Sequence, residues 1–290
     1  MKTFITSESV TEGHPAYLSD SYKNTNMGAV LTVEQKQVAI QFIRPNLGKL
    51  SQRELARRLD IGKTTVNRWC TEIGFRPIKY LANEGFFDDW NENSAYILGL
   101  ICADGNIAWN PKKSYRTLTI TAAEKDVEQL ERIRLLLGST KPLLYSEKTK
   151  SYRLTVTNKK ICQRLMKLGI TPRKSLNIRF PKIPEEHLKH FIRGVIDGDG
   201  NVRYVNRKRS PYFEITVSSG SKKFLDALIE VIKNKCGIDA KTRKIGKNTY
   251  VVQYSCCRGE KLAKFVYANA NIYLQRKFLQ YKISGGGEGT

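Results

Sequence analysis

The chain has 290 residues, 40% of them hydrophobic, so it can form about two globular domains with ordinary cores. Lys and Arg number 50 against 27 Asp and Glu, and the net charge of +23 favours a polyanionic partner, above all nucleic acid. The sequence has no long apolar run, no signal-peptide core and no C-x-x-C pair among its six cysteines. These absences argue against a membrane partner, secretion and a zinc ribbon, and they favour the cytoplasm, with nucleoid association in a prokaryote, or an organelle.

Residues 1–29 are polar and lack sustained periodicity, so we expect an exon-like leader or a poorly ordered arm. Residues 1–15 read MKTFITSESVTEGHP, which resembles the amino terminus of S-adenosylmethionine synthetase. That motif continues Asp-Lys, whereas this chain has Ala16 and Tyr17. Nothing downstream resembles that enzyme, so we interpret the segment as translated host exon joined to an intron reading frame. An intein is less favoured, because no His-Asn pair closes the sequence.

Residues 30–78 predict a small all-α domain of three helices. Thr32 and Gln35 have the spacing of a capping box at the first helix. A Ser-capped second helix and a third helix are joined by a turn at 60–62, with the predicted inward side chains Leu55, Ala56, Leu59, Val66 and Trp69. This pattern matches a helix-turn-helix, whose last helix meets bases and phosphates with its first residues. The predicted DNA contacts are Lys63, Thr64, Thr65, Asn67 and Arg68; the alternative is a helical hairpin used only for packing.

An internal repeat follows a connector at 79–93. Its halves are 94–180 and 181–284, with a flexible tail at 285–290, and they open with the related segments AYILGLICADGN and HFIRGVIDGDGN. Each segment is apolar almost all round, which predicts a buried helix. Small residues four apart would let the two helices pack backbone to backbone: Gly99 with Ala103, and Gly194 with Gly198. Gly105 and Gly200 are expected to end the helices.

Two acids occupy the same place in the two segments, Asp104 and Asp199. If the helices are parallel, these acids emerge side by side at the helix ends. Close carboxylates repel each other and raise each other's pKa unless cations lie between them, and the helix C-termini favour cations as well. Carboxylate oxygens suit Mg²⁺, with Mn²⁺ or Ca²⁺ as substitutes.

The paired segments resemble the two LAGLIDADG motifs of monomeric homing endonucleases. The resemblance implies an α+β fold with a pseudo-twofold αββαββα duplication and two antiparallel, saddle-shaped sheets. It also implies a divalent-metal-dependent, site-specific endonuclease that makes a staggered break in double-stranded DNA. Asp104 and Asp199, with the neighbouring Ala103 and Gly198, are then the metal site. The first copy departs from the motif at Cys102, where the second has Asp197, and we expect this change to leave cleavage intact.

A further correspondence concerns lysine. Residues 169–175 align with 271–277 if one residue is inserted, and the family resemblance then puts Lys174 and Lys277 near the scissile phosphates. A cation there would order the attacking water or offset developing charge.

The two halves also agree downstream of the motifs. Each has an alternating strand, a helix, a basic hairpin and a last helix; the strands are predicted at 115–121 and 212–218, the first helices at about 125–137 and 221–235, and the hairpins at 145–154 and 241–250. The polar sheet faces are expected to lie along the major groove. The predicted contacts are Thr117, Thr119, Lys148, Lys150, Arg153, Thr155, Glu214, Thr216, Arg243, Lys247, Thr249 and Gln253, with phosphate contacts from Arg203, Arg207 and Lys208.

The leader suggests the target, an S-adenosylmethionine synthetase gene that lacks the intron. Two alternatives stay open at this stage: a maturase that binds host intron RNA, and a catalytically silent transcription regulator that combines a helix-turn-helix with this fold. Retention of both Asp104 and Asp199 weighs against the regulator.

Overall fold

The computed structural model describes residues 32–47, 50–74, 80–110, 115–206 and 211–284. The predicted leader, the predicted tail, Arg207 and Lys208 lie outside the described residues. The chain divides into two compact units, one ending at Lys79 and the other beginning at Tyr80.

In the first unit the described helices are α1 (Val33–Asn46), α2 (Gln52–Leu59) and α3 (Lys63–Glu72). The predicted capping box opens α1: Thr32 Oγ1 accepts from Gln35 N at 3.2 Å, and Gln35 Oε1 accepts from Thr32 N at 2.9 Å. Asp60 takes the left-handed conformation, with φ of 51°, and turns the chain between α2 and α3. The five predicted inward side chains of α2 and α3 are all buried, which confirms the predicted packing.

The second unit begins with α4 (Glu92–Asp104), β1 (Gly105–Asn110), β2 (Tyr115–Ala123), α5 (Val127–Leu136), β3 (Leu144–Ser146), β4 (Ser151–Thr157) and α6 (Lys159–Lys167). It continues with α7 (Leu188–Asp199), β5 (Gly200–Val205), β6 (Tyr212–Ser219), α8 (Lys222–Cys236), β7 (Arg243–Gly246), β8 (Thr249–Ser255), α9 (Cys257–Tyr267) and α10 (Gln275–Ile283). The order αββαββα therefore occurs twice, as predicted, and α10 follows the second copy. The fold is α+β.

Each half forms one four-stranded antiparallel sheet. The strand orders are β1-β2-β4-β3 and β5-β6-β8-β7, so the two sheets share one topology. Alternate residues of the central strands are buried, including Leu118 and Ile120 in β2 and Ile215 and Val217 in β6. These side chains join the helices in one continuous hydrophobic core that extends through both halves. The predicted division into an apolar inner face and a polar outer face is confirmed.

The helices α4 and α7 touch through their backbones. A Cβ atom added at Gly99 would lie 2.1 Å from the carbonyl oxygen of Phe191, and one at Gly194 would lie 2.0 Å from that of Tyr96. These distances are far below van der Waals contact, so neither position has room for a side chain. The two contacts are equivalent under exchange of the halves, since each glycine faces the helix that carries the other.

The contacts also fix the direction of the helices. One turn beyond Gly194, a Cβ atom at Gly198 would lie 2.3 Å from the Cβ atom of Ala103, which is one turn beyond Gly99. Contacts therefore proceed in the same order along both helices, which makes α4 and α7 parallel. Their carboxyl ends lie together.

Gly105 and Gly200 end these helices, as predicted, but not through the left-handed conformation that glycine often adopts at a helix end. Their φ angles are −80° and −91°, so neither adopts the left-handed conformation of a helix-ending glycine. A Cβ atom would instead lie 2.7 Å from the Ile101 carbonyl oxygen at the first position and 2.4 Å from that of Ile196 at the second. Close approach to the preceding turn, as each chain bends from helix into strand, favours glycine at both positions.

We expect Gly194→Ala to destabilise the protein by about 1–3 kcal/mol or more, because the new methyl group overpacks the α4–α7 contact. Gly85→Ala is the matched control, since its Cβ atom would meet no atom closer than 3.5 Å. Urea denaturation of both variants measures the difference. Equal stability of the two would contradict the backbone contact.

Candidate active site at the ends of the paired helices

Asp104 and Asp199 are the last residues of α4 and α7, and the residue after each begins a strand. The Cβ position of Gly198 would be 3.3 Å from Asp104 Oδ2. The carboxylate of Asp104 therefore lies against the residue that precedes Asp199. The parallel helices bring the two predicted acids together.

The two carboxylates lie in an unfavourable electrostatic environment. The protein around Asp104 partly removes its carboxylate from water, and this desolvation is the main cause that raises its pKa above the usual range. Burial, followed by repulsion from Asp104, raises the pKa of Asp199 to about 6. Both side chains nevertheless keep contact with solvent. An accessible acid pair that resists ionisation is a good place for a cation.

Two buried lysines lie at the same helix ends as the acids. Lys174, on a 3₁₀ turn at Lys174–Leu176, donates from Nζ to the carbonyl oxygens of Cys102 at 2.6 Å and Ala103 at 3.1 Å. Lys277, in the first turn of α10, donates from Nζ to three carbonyl oxygens, those of Ile196, Asp197 and Gly200. Their ammonium groups thus bind the last carbonyls of α4 and α7, where the helix dipole is negative. Burial lowers the pKa of both lysines, that of Lys277 to about 8.

The acids and lysines are paired across the two halves. Lys277, from the second half, is the strongest charge that lowers the pKa of Asp104, and Lys174, from the first half, is the strongest that lowers the pKa of Asp199. The surface cavities agree with this pairing. One is lined by Asp104 together with Arg276 of the second half, and the other by Asp199 together with Lys174. We call Asp104 with Lys277 and Arg276 the Asp104 centre, and Asp199 with Lys174 the Asp199 centre; each half contributes residues to both.

Asp197 is the residue that the sequence singled out but did not explain. It is 2% exposed, and its carboxylate accepts three hydrogen bonds: from Tyr96 OH at 2.8 Å, from Tyr267 OH at 2.7 Å and from Leu274 N at 2.7 Å. The Cys102 side chain is buried at the equivalent place in the first half. The difference between the two motifs is thus a buried polar cluster around Asp197, where the first motif has only the Cys102 thiol.

A second polar cluster was missed by the sequence reasoning. Arg193 is fully buried in α7, and its guanidinium donates to Glu92 Oε1 at 2.6 Å and to the carbonyl oxygens of Val266 and Ile272, both at 2.7 Å. Glu92 also accepts from the backbone of Asn271 at 3.0 Å. A charged residue in an apolar helix signalled this cluster, but its partners come from distant segments. The cluster joins the start of α4 to the second half.

Arg276 was also missed. Its Nε donates to Asp126 Oδ1 at 2.9 Å, so this ion pair crosses from the second half to the first. Both residues line the cavity that contains Asp104. The pair places a second cation, beside Lys277, at the Asp104 centre.

The predicted DNA-contacting residues of the first sheet share its polar face. Strand register places Thr119 beside Thr155 and Thr117 beside Thr157, with Arg153 farther along the same face. Lys148 and Lys150 are exposed in the turn between β3 and β4. The structure therefore groups the predicted residues on one surface, while their contacts with DNA stay predictions.

The second sheet has an equivalent face with one difference. Thr216 lies beside Gln253, and Arg243, Lys247 and Thr249 lie in or beside the β7–β8 hairpin. Glu214, however, is only 4% exposed, and its carboxylate accepts from Arg203 Nε at 2.8 Å as well as from Gln253 and Ser255. Glu214 and Arg203 are partners of each other here, so a contact between Glu214 and a base would require the buried carboxylate to move. Arg203 is half-exposed and keeps N–H donors for a phosphate.

In the first unit, the predicted DNA-contacting residues occupy the first turns of α3. Lys63, Thr64 and Arg68 are exposed there, while Thr65 and Asn67 are half-buried. Asn67 Oδ1 is buried and has no hydrogen-bond partner among the described residues. The exposed residues are available to a partner molecule.

Two kinds of feature are absent from the described residues. Within the described residues, no group of three or more His, Cys, Asp and Glu side chains is placed to hold a metal ion. No described helix is long and apolar enough to cross a membrane.

Comparison with known proteins gives a family match within the second half of the chain. Residues 186–267 match the model of the LAGLIDADG-like domain family. The region contains α7, Asp197 and Asp199. No curated protein matches the chain.

The chain is also similar to solved structures of LAGLIDADG endonucleases. The I-LtrWI homing endonuclease bound to target DNA is 15% identical, with a TM-score of 0.45 over 69% of this chain and 88% of that one. The I-AabMI meganuclease bound to uncleaved DNA is 13% identical, with a TM-score of 0.46 over 68% and 92%. The I-WcaI homing endonuclease bound to its DNA recognition sequence is 14% identical, with a TM-score of 0.45 over 67% and 91%.

We expect Asp199→Asn to raise the melting temperature of the metal-free protein at pH 7.5. Because folding raises the pKa of Asp199 to about 6 from 3.8, its ionised form opposes folding above pH 6. Solvent screening reduces the gain to about 1 kcal/mol, or roughly 2–4 °C. The gain should shrink as the pH falls from 6 towards 4, when wild-type Asp199 takes up a proton.

Differential scanning calorimetry across this pH range measures the effect. Asp239→Asn is the control, because hydrogen bonding from Lys233 lowers the pKa of Asp239 and its replacement should give no such rise. A gain that is the same at pH 4 and pH 7.5 would show that charge is not its cause.

Proposed function

We propose that this protein is a site-specific endonuclease that hydrolyses both strands of duplex DNA, as LAGLIDADG homing endonucleases do. The observation that carries the proposal is the meeting of Asp104 and Asp199, from equivalent positions of two similar halves, at the ends of parallel helices. Two strands related by approximate twofold symmetry need two equivalent hydrolytic centres, and the duplication supplies them. The net charge of +23 and the family match at 186–267 support the same function.

The acid pair fits a divalent cation. Its raised pKa values mean that positive charge is favoured between the carboxylates. Two carboxylates would fill only part of a cation's coordination shell and would leave the other positions to water and phosphate oxygens, as Mg²⁺ prefers. Asp104 and Asp199 would hold the ions, with Ala103 and Gly198 beside them. Bound Mg²⁺, or Mn²⁺ or Ca²⁺ as a substitute, supplies the activation of water and the stabilisation of the leaving 3′ oxygen.

The two lysines have different capacities for the reaction. Lys277 donates all three of its ammonium hydrogens to backbone carbonyls, so in this arrangement it contributes a fixed positive charge. Lys174 donates only two hydrogen bonds to described residues, which leaves one N–H for a water or a phosphate oxygen. Both charges offset negative charge that develops on the phosphate. Only Lys174 can orient a water without losing a bond.

Three surfaces would hold the DNA. The polar faces of the two sheets carry threonine, glutamine, lysine and arginine, and they would follow the major groove of adjacent half-sites. The exposed start of α3 would act as the recognition helix of a helix-turn-helix and extend the contact beside the main site. One chain contains both centres, so a monomer would be sufficient.

The origin and target follow from the first fifteen residues. An S-adenosylmethionine synthetase gene without the insertion would be the substrate, cut near the codons for Gly13, His14 and Pro15. The reading frame would then be intron-encoded, and cleavage with staggered ends would start its transfer.

Incubation with Mg²⁺ and a duplex that spans this insertion site should yield a double-strand break in the wild-type protein. Asp104→Asn and Asp199→Asn should each reduce cleavage by at least about 100-fold, because each removes a proposed metal ligand. Asp226→Asn, which changes an exposed acid on α8, is the matched control and should cleave normally. Denaturing gels of both labelled strands measure the products.

A plasmid library of random inserts, assayed in parallel, separates the target from the chemistry. Cutting in the library but not at the predicted duplex would overturn the target alone. Cutting of neither substrate would overturn the nuclease. Preferential binding of intron RNA over duplex DNA, measured in the same salt, would then favour the maturase.

A further inference from the structure

The buried carboxylate of Asp197 ties α7 to the start of α10. Leu274 immediately precedes α10, and its backbone N–H donates to Asp197 Oδ2 at 2.7 Å. No side chain of its own segment caps this helix. Asp197 therefore satisfies one of the free N–H groups of the helix and adds negative charge at its positive end.

The same residue contacts the lysine of α10 directly. Lys277 donates from Nζ to the backbone carbonyl of Asp197 at 2.7 Å, and from its own N–H to the carbonyl of Leu274 at 3.0 Å. A closed set of bonds thus connects Asp197, Leu274 and Lys277. Movement of the Asp197 side chain would displace the segment that carries the lysine.

The carboxylate itself is held from two other elements. Tyr96 of α4 donates to Asp197 Oδ2 at 2.8 Å, and Tyr267 of α9 donates to Oδ1 at 2.7 Å. Gln129 in turn donates to the Tyr96 hydroxyl at 2.9 Å. Two helices and the residue before α10 thus fix one side chain, which suits it to position another residue.

In the described residues of the first half, no buried carboxylate corresponds to Asp197. Cys102 stands at the position of Asp197, and Lys174 lies in a short 3₁₀ turn that follows Arg173, whose φ is 58°. Lys174 binds the last carbonyls of α4, and no described buried carboxylate stands beside it as Asp197 stands beside Lys277. The two lysines are therefore placed by different means.

We infer that Asp197 is a positioning residue that holds Lys277 for the cleavage of one particular strand, the strand cut at the Asp104 centre. Arg276, which immediately precedes Lys277, lines the same cavity as Asp197 and Asp104, whereas Asp199 lines the other cavity together with Lys174. Loss of the Asp197 carboxylate should therefore slow one strand and spare the other. The inference rests on the proposed function.

Single-turnover cleavage with the two strands separately labelled tests the inference. Asp197→Asn should slow by about 10–100-fold the same strand that Lys277→Met slows, and change the other by less than about twofold. The double variant should cleave like Lys277→Met alone, because Asp197 acts only through the lysine. Equal slowing of both strands, or additive effects in the double variant, would overturn it.

Tyr267→Phe provides a milder variant if Asp197→Asn fails to fold. It removes one donor to Asp197 and should slow the same strand selectively, though less. Tyr254→Phe is its matched control, since this buried hydroxyl in the same half has no partner among the described residues. Similar behaviour of the two tyrosine variants would contradict the inference.

A readout without DNA separates this inference from the proposed function. The Lys277 ammonium should give a protected ¹⁵N resonance in the wild type, and the protection should fall in Asp197→Asn. Absence of cleavage by the wild type would remove the proposed function alone. An ammonium signal that is unchanged in Asp197→Asn would remove the positioning role.

Discussion

The contact between Gly99 and Gly194 is the constraint on which the second unit depends. At each position a single methyl group would collide with a backbone carbonyl of the facing helix, so α4 and α7 can approach this closely only with glycine. Parallel helices at this distance must bring their carboxyl ends together. The two halves, each with its own sheet, are then arranged around that pair, and Asp104 and Asp199 have no alternative but to be neighbours.

Neighbouring helix ends create an electrostatic problem, and the lysines offset it. The last carbonyls of both helices and two carboxylates concentrate negative charge in a small volume at the helix ends. Lys174 and Lys277 bind those carbonyls from the buried side of the site, whereas the carboxylates face solvent. Protein cations therefore stabilise the inner side of the site, and the outer side stays open to ions and phosphate. Each lysine binds the helix of its own half but acts most strongly on the acid of the other half, so neither centre is complete within one half.

Much of this arrangement can be predicted from the sequence. Small residues four apart, matched acids and alternating strands report local and pairwise geometry, so the αββαββα duplication, the helix pair and the polar sheet faces are predictable. The cluster around Asp197 is not, because its donors at Tyr96, Tyr267 and Leu274 are distant in sequence and have no common spacing. The burial of Glu214 and the crossing of Arg276 to Asp126 escape prediction for the same reason. Departures between the two copies, such as Cys102 against Asp197, and a charged residue in an apolar helix, such as Arg193, are the sequence features that mark such places.

The proximity of the two acids can be measured directly, without DNA or metal, by NMR titration of the Asp199 carboxyl carbon. The wild-type protein should show an Asp199 pKa of about 6. In Asp104→Asn the pKa should fall, because the nearest like charge is gone, yet stay above 3.8, because burial remains. An Asp199 pKa that does not change when Asp104 is replaced would contradict the shared site at the helix ends.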